Sequence, residues 1–339
     1  MSEKFSYSKL STFTECGWKY KLIYVDKHFI QSRAIATDFG TLIHHIEDRM
    51  AHDIQANNNE PNFLMDYDKY IDMFININDE KNGIFGVNKI REIYPEDFYK
   101  EDKNNLTYAQ KASIYANDAI YRLRDYMTEN PNLEIIGVEQ DFTLQYKDYT
   151  LKGSIDRVFR DKVTRNIIIE DIKTYSGPID SKKLTTPLQF VVYTLAAREL
   201  YGHLYEPVDI SCVYDLPLCQ CKQVAGTKGY LKRGTDKLDK IFRGIEDKIF
   251  EPKPSALCYW CNFSKTNPNQ PEEAQNLCPY YSRWARENKD YGVDFEWMGL
   301  ENHEAIMEAF TKGVVNAKPL IKSPVETAGE GTRRFLIRR

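Results

Sequence analysis

Several absences bound what this 339-residue chain can be. It has no apolar run long enough to span a bilayer, so a membrane protein is not expected. Its opening residues, MSEKFSYSKL, hold no hydrophobic signal-peptide core, which makes a soluble, cytoplasmic protein the expectation. It has no phosphate loop of the GxxxxGKS or GxxxxGKT type, hence no sign of a nucleotide-driven motor. No internal repeat is visible. Seven Cys are too few for a secreted disulfide scaffold of this length, and in a reducing compartment clustered cysteines point to metal instead. The net charge of −4 excludes a globally basic chain, so any polyanion must be met by a local patch.

The 42% of hydrophobic residues can bury a substantial core, and 23 Tyr make the chain rich in rings that pack on bases or on one another. Residues 6–24 read as a helix. Residues 36–55 read as a second, with Phe39, Leu42, Ile43, Ile46 and Met50 near helical period. Residues 57–105, with Asn57-Asn58-Asn59 and Asn82-Gly83, read as an insertion of short helices and loops. A long helix is expected over 106–129, stopped before Asn130-Pro131. Strands follow to about 174, with Thr143–Phe159 as one run and Asn166–Ile172 as the next. A helix is expected at 187–201, strands at 207–216 and 219–225, and an amphipathic helix marked by Leu238, Ile241, Phe242, Ile245 and Ile249. This order implies an α/β fold with a central mixed β-sheet flanked by helices. One domain is expected over 1–322: a helical N-terminal region over 1–130, a core over 131–225, and a helical and cysteine-bearing region over 226–322. A flexible basic tail is expected at 323–339.

The segment 139–174 carries the chemistry. A hairpin turning about 163 and 164 sets Asp156 opposite Asp171, and strand alternation puts Asp171 and Lys173 on one face and Glu170 on the other. A strand bearing Ile167, Ile168 and Ile169 is expected to be buried, where charges are costly unless they pair or hold a metal. Two carboxylates to bind Mg²⁺ or Mn²⁺, with a Lys to stabilise charge, are what metal-dependent phosphodiester hydrolysis uses. Taken alone, the same residues also fit ordinary charges at strand ends.

Further residues fall into an ordered pattern: Cys16 in SYSKLSTFTECGWKYKLIY, Gly40-Thr-Leu-Ile-His44, Glu139, Asp156 in GSIDR, Asp171-Ile172-Lys173-Thr174, Gln189-Phe-Val-Val-Tyr193, then Cys258, Cys261 and Cys278. This resembles the PD-(D/E)XK nuclease superfamily, and within it the RecB-like exonucleases with a four-cysteine cluster, the group of the CRISPR-associated exonucleases and the AddB nuclease domain. Ile155 stands where the superfamily's name has Pro, and the gap between Cys261 and Cys278 is wider than in that branch. The resemblance implies a restriction-endonuclease-like core. It implies metal ligation by His44, Asp156, Asp171 and the Ile172 backbone carbonyl, with Lys173, Gln189, Tyr193 and Glu139 as further site residues. His45, turned about 100° from His44 on the helix, is not selected.

The resemblance also implies a [4Fe–4S] cluster on Cys16, Cys258, Cys261 and Cys278, joining the two ends of the chain. Thiolates alone do not distinguish this from a structural zinc site. Cys212, Cys219 and Cys221 stand as alternative ligands or as small buried hydrophobes. The basic run 222–243, with Lys232, Arg233 and Lys237, reads as a DNA-binding patch or as a solvated helix face. The expected activity is a metal-dependent DNA exonuclease on single-stranded or free-ended DNA, in recombination, repair or phage DNA processing, with a helicase or recombination protein as partner. A structure-specific endonuclease, a non-catalytic DNA-binding or assembly subunit, and a zinc-stabilised interaction protein with no nucleic-acid role are the alternatives.

Overall fold

The computed structural model describes residues 3–30, 33–61, 66–203, 209–253, 255–264, 267, 270–274, 277–278, 280–284, 289–293, 319–320 and 335–337. The chain divides into two compact units, Met1–Tyr7 with Arg33–Lys237, and Ser8–Ser32 with Leu238–Arg339. The helices are α1 (Tyr7–Glu15), α2 (Gly17–Tyr20), α3 (Ile35–Ala56), α4 (Tyr67–Asn76), α5 (Val87–Ile93), α6 (Tyr108–Asn117), α7 (Arg122–Glu129), α8 (Ser181–Leu184), α9 (Leu188–Tyr201) and α10 (Tyr230–Glu246). The strands are β1 (Lys4–Phe5), β2 (Asn78–Asp79), β3 (Ile84–Phe85), β4 (Leu133–Tyr146), β5 (Tyr149–Asp161), β6 (Ile167–Ile172), β7 (Ile210–Leu216), β8 (Cys221–Ala225), β9 (Tyr280–Trp284), β10 (Lys289–Val293), β11 (Pro319–Leu320) and β12 (Phe335–Ile337). Among the described residues no helix is long and apolar enough to cross a membrane. The tail expected at 323–339 lies outside the described residues, apart from β12.

The first unit is built on the expected mixed sheet. β6 runs antiparallel to β5 and parallel to β7, and β7 is antiparallel to β8. β5 pairs with β4 along its whole length. Its other edge holds β6 over Arg157–Arg160 and β1 over Thr150–Leu151, so among the described residues no strand covers 152–156 on that side. The expected single strand Thr143–Phe159 is instead split by a two-residue turn, Lys147–Asp148, with Lys147 at φ 54°. The next turn falls where expected: Asp161 Oδ1 accepts the N–H groups of Val163 and Thr164, and Arg165 takes φ 62°. The resulting register, Arg157 against Glu170, puts Asp156 and Asp171 one step further along the same pair.

Two expected helices are interrupted. The helix read over 106–129 breaks at Asp118 (φ −128°) into α6, a single 3-10 turn and α7, which lets Ile120 and Leu123 both enter the core. The helix read over 6–24 breaks at Cys16, which is extended (φ −161°) and caps α2 through its sulfur. The 57–105 segment is more than an appendage: Tyr70, Phe74, Phe85, Ile90 and Phe98 pack into the same core as Phe39, Leu42, Ile46 and Met50 of α3.

Beneath the sheet lies a buried chain of charges. Arg157 is fully buried and donates to Glu170 and to Glu47, each at 2.9 Å. Tyr115 donates to the other oxygen of Glu47. Lys222 bridges Glu170 and Asp215, and Arg122 closes the chain on Asp215 at 2.5 Å. Three carboxylates thus alternate with three cations. Burial raises the Glu47 pKa, whereas Lys222 and Arg122 overcome burial and hold Asp215 below its ordinary value. Removing one member leaves its partners uncompensated in a low-dielectric interior. Arg157→Met is therefore expected to destabilise the protein by about 3–5 kcal/mol, measured by denaturant unfolding. A loss below 1 kcal/mol would show that the network is dispensable.

Candidate active site

The site forms where β6 ends and the edge of β5 is left open. Asp156, on β5, accepts the Ile172 N–H at 2.7 Å, tying it across to β6. Asp171 is 1% exposed, and its Oδ2 meets Lys173 Nζ at 2.5 Å without a well-formed hydrogen bond. Its other oxygen accepts the Gln189 amide at 2.6 Å, and Gln189 also donates to the Tyr193 hydroxyl at 3.0 Å. Gln189 and Tyr193 share a face of α9, and both are buried. Their geometry makes them a brace that orients Asp171.

His44 reaches the site from α3, with Nδ1 3.7 Å from Asp156 Oδ2 and a hydrogen bond to the Ile172 backbone. Gly40 brings α3 in: a Cβ there would lie 3.3 Å from the Thr174 hydroxyl, just beyond β6. Glu139 stands on β4 at a left-handed φ of 41°, beside Asp156 of β5, where the β4–β5 ladder skips a pair. Such backbone in a non-glycine residue stores strain and concentrates at functional sites.

Burial pushes the Asp171 pKa up to about 7, with Lys173 pulling it down and Asp156 pushing further up. Burial also lowers His44, leaving a neutral imidazole at neutral pH, while Asp171 overcomes burial to keep Lys173 an ammonium. One residue of this cluster went unrecognised in the sequence. Asp48 lies one helical turn after His44 on α3, is buried, and hydrogen-bonds Glu139; its pKa is pushed up to about 9 by burial and then by Glu139. The spacing of four from His44 was the available signal.

Among the described residues no three His, Cys, Asp or Glu side chains are drawn together as a finished metal cage. The donor set nonetheless fits a hard divalent cation: oxygen-rich, with a buried Asp171 oxygen short of hydrogen bonds and an imidazole in its ligating form.

The second unit holds the four cysteines expected to act together. Cys16, Cys258, Cys261 and Cys278 line one cavity of about 40 Å³. Backbone N–H groups of Lys19 and Lys253 approach the Cys16 sulfur at 3.5 Å, and that of Ser255 approaches Cys258 at 3.4 Å. Trp18 donates to the Leu277 carbonyl, next to Cys278. Convergent N–H groups suit sulfurs that carry negative charge, as metal-bound thiolates do. In the first unit, Cys212 is a buried small residue as expected. Cys219 and Cys221 differ: they are only half-buried, and the left-handed Gln220 between them brings their sulfurs to 2.8 Å.

The basic stretch is not uniform. Lys222 points inward to Glu170 and Asp215, so it is no phosphate contact. Arg233 holds Thr186, Thr227 and the Lys228 carbonyl, while Lys232 and Lys237 stand exposed on α10.

A pH dependence follows from the raised carboxyl groups. A folded-state pKa above the unfolded one contributes stability at low pH that is lost as pH rises towards the folded value. Metal-free protein is expected to lose stability as pH climbs from about 4 towards 9. Asp48→Asn should unfold ~3 °C higher at pH 8.5, for about 1 kcal/mol gained, and flatten the profile. An unchanged melting profile for Asp48→Asn would overturn this account.

No curated protein matches the chain. A crystal structure titled "Putative exonuclease" from Eubacterium rectale aligns with 13% identity and a TM-score of 0.37, covering 76% of this chain and 87% of the other. The profile of the PD-(D/E)XK nuclease superfamily matches residues 4–266, a span that contains every residue of the site on β5, β6, α3 and α9. On that match over most of its length, the chain belongs to the PD-(D/E)XK nuclease superfamily.

Proposed function

We propose that the protein is a metal-dependent DNA exonuclease acting on single-stranded or free-ended DNA, with a four-cysteine iron–sulfur cluster in its second unit. The observation that carries the nuclease reading is the buried Asp171 carboxylate, crowded against Asp156 and paired with Lys173. His44, Asp156, Asp171 and the Ile172 carbonyl would hold Mg²⁺ or Mn²⁺. Such an ion supplies Lewis acidity at a phosphodiester and eases ionisation of water. Lys173 places a fixed positive charge beside Asp171, where charge develops on the phosphate. Gln189 and Tyr193 hold Asp171 in one orientation. Glu139 and Asp48 place a second carboxyl pair next to Asp156. Lys232 and Lys237 offer exposed charge for the DNA backbone, with Arg233 on the same helix.

Two features support the cluster reading: the shared cavity, and the N–H groups aimed at Cys16 and Cys258. The same thiols could hold structural zinc. Recombination, repair or phage DNA processing is the setting such an activity serves, with a helicase or recombination protein to present DNA ends.

The direct test is digestion of end-labelled linear and covalently closed single- and double-stranded DNA with Mn²⁺ or Mg²⁺. Linear DNA should be degraded and closed circles spared; cleavage of circles would instead identify an endonuclease. Asp171→Ala and Lys173→Ala are each expected to lower the rate at least ~100-fold with the fold retained by circular dichroism. Gln189→Ala should cost less, about tenfold, because it acts through Asp171. Wild-type rates in folded Asp171→Ala protein would sink the assignment.

For the cluster, protein purified without oxygen should contain about four irons per chain. Cys16→Ser should lose them, while Cys212→Ser should not. One tightly bound zinc and no iron would replace the cluster by a zinc site.

A further inference from the structure

Within the second unit, Trp260 (69% exposed) and Phe29 (67%) are the two most exposed aromatic side chains among the described residues. Both line one groove of about 510 Å³, with Lys19, His28, Asn262 and Phe263. Leaving two large rings in water is unfavourable, so their placement in a single groove needs a reason beyond folding. Tyr259 packs edge-on to Trp260, with ring centroids 5.1 Å apart at 76°, which braces the indole. The ionisable residues lining the groove are Lys19 and His28; no carboxylate lines it among the described residues. Exposed aromatic faces beside the imidazole of His28 and beside Lys19, whose ammonium Glu15 approaches at 3.8 Å from outside the lining, suit a flexible polyanion whose units have flat faces.

The groove is built by the segments that carry the cysteines. Tyr259 and Trp260 lie between Cys258 and Cys261, and Lys19 follows Cys16 by three residues. Lys19 and Phe263 line both the groove and the cysteine cavity.

We infer that this groove binds single-stranded DNA, stacking bases on Trp260 and Phe29 with Lys19 and His28 beside the phosphates. The inference rests on the DNA-nuclease reading for its ligand, but it is tested by binding alone. Full-length protein in EDTA is titrated against a fluorescent oligothymidylate and read by anisotropy. Trp260→Ala and Phe29→Ala should each weaken binding about tenfold, the loss of one stacked base. Trp260→Phe should retain most of the affinity. With an abasic oligomer of the same length, wild type and Trp260→Ala should bind alike. Equal affinity of the wild type and both alanine variants for the oligothymidylate would overturn the inference and leave the groove to a protein partner. A difference that persists on the abasic oligomer would equally overturn it, since stacking would not be the cause. Should Trp260→Ala fail to fold, Phe29→Ala reads the same groove. Failure of the nuclease reading is distinguishable: a protein that binds through Trp260 but cuts nothing with Mn²⁺ keeps the groove and loses the enzyme.

Discussion

Arg157 stands between Glu47 and Glu170 with no access to water, and the geometry of the site depends on it. In a strand, neighbouring residues face opposite ways. Arg157 facing the interior therefore sends Asp156 to the other face, and Glu170 turned towards Arg157 does the same for Asp171. One guanidinium, gripped by two carboxylates on two elements, thus fixes the rotation of β5 and β6 about their axes. Glu47 adds α3 to the same grip, and α3 also carries His44 and Asp48.

The two faces of the sheet make opposite electrostatic choices. Behind it, three cations answer three carboxylates, and the charges compensate. In front, Lys173 meets Asp171 and feels Asp156, while Glu139 and Asp48 form a second carboxyl pair next to Asp156, and acidity is left over: Asp171 is held up at about 7 and Asp48 at about 9. That surplus suits a site made for a cation. The left-handed backbone of Glu139 adds strain at the same place.

Much of this was legible in the sequence because it is local. The register that aligns Asp156 with Asp171 followed from a hairpin turn about 163 and 164 between two runs that read as strands. The burial of Ile167 and Ile169 followed from composition, and the 40–44 spacing selected His44 over its neighbour. What stayed hidden depends on partners distant in the chain. Nothing near Arg157 or Lys222 signals that both are interior, since their partners come from α3, β6 and β7. Gln189 was singled out by its place in the motif order, but that its amide would hold Asp171 depends on how α9 is laid against the end of β6. The breaks at Cys16 and Asp118 are tertiary choices: one frees a sulfur to cap the next helix, the other admits Ile120 to the core. Lys147–Asp148 carries none of the Gly or Asn residues that announce a tight turn, so two strands read as one.

The division of the chain into units has a consequence for how it is made. The second unit combines Ser8–Ser32 with residues that begin at Leu238. On a ribosome adding 5–20 residues per second, Cys278 emerges roughly 13–50 s after Cys16. Throughout that interval the whole sheet of the first unit is synthesised, while the segment around Trp18 and Leu22 lacks the residues that will cover it. The first unit can condense early, since all its strands precede Lys237. The second must wait for nearly the full chain, so any cofactor its cysteines take would be loaded last.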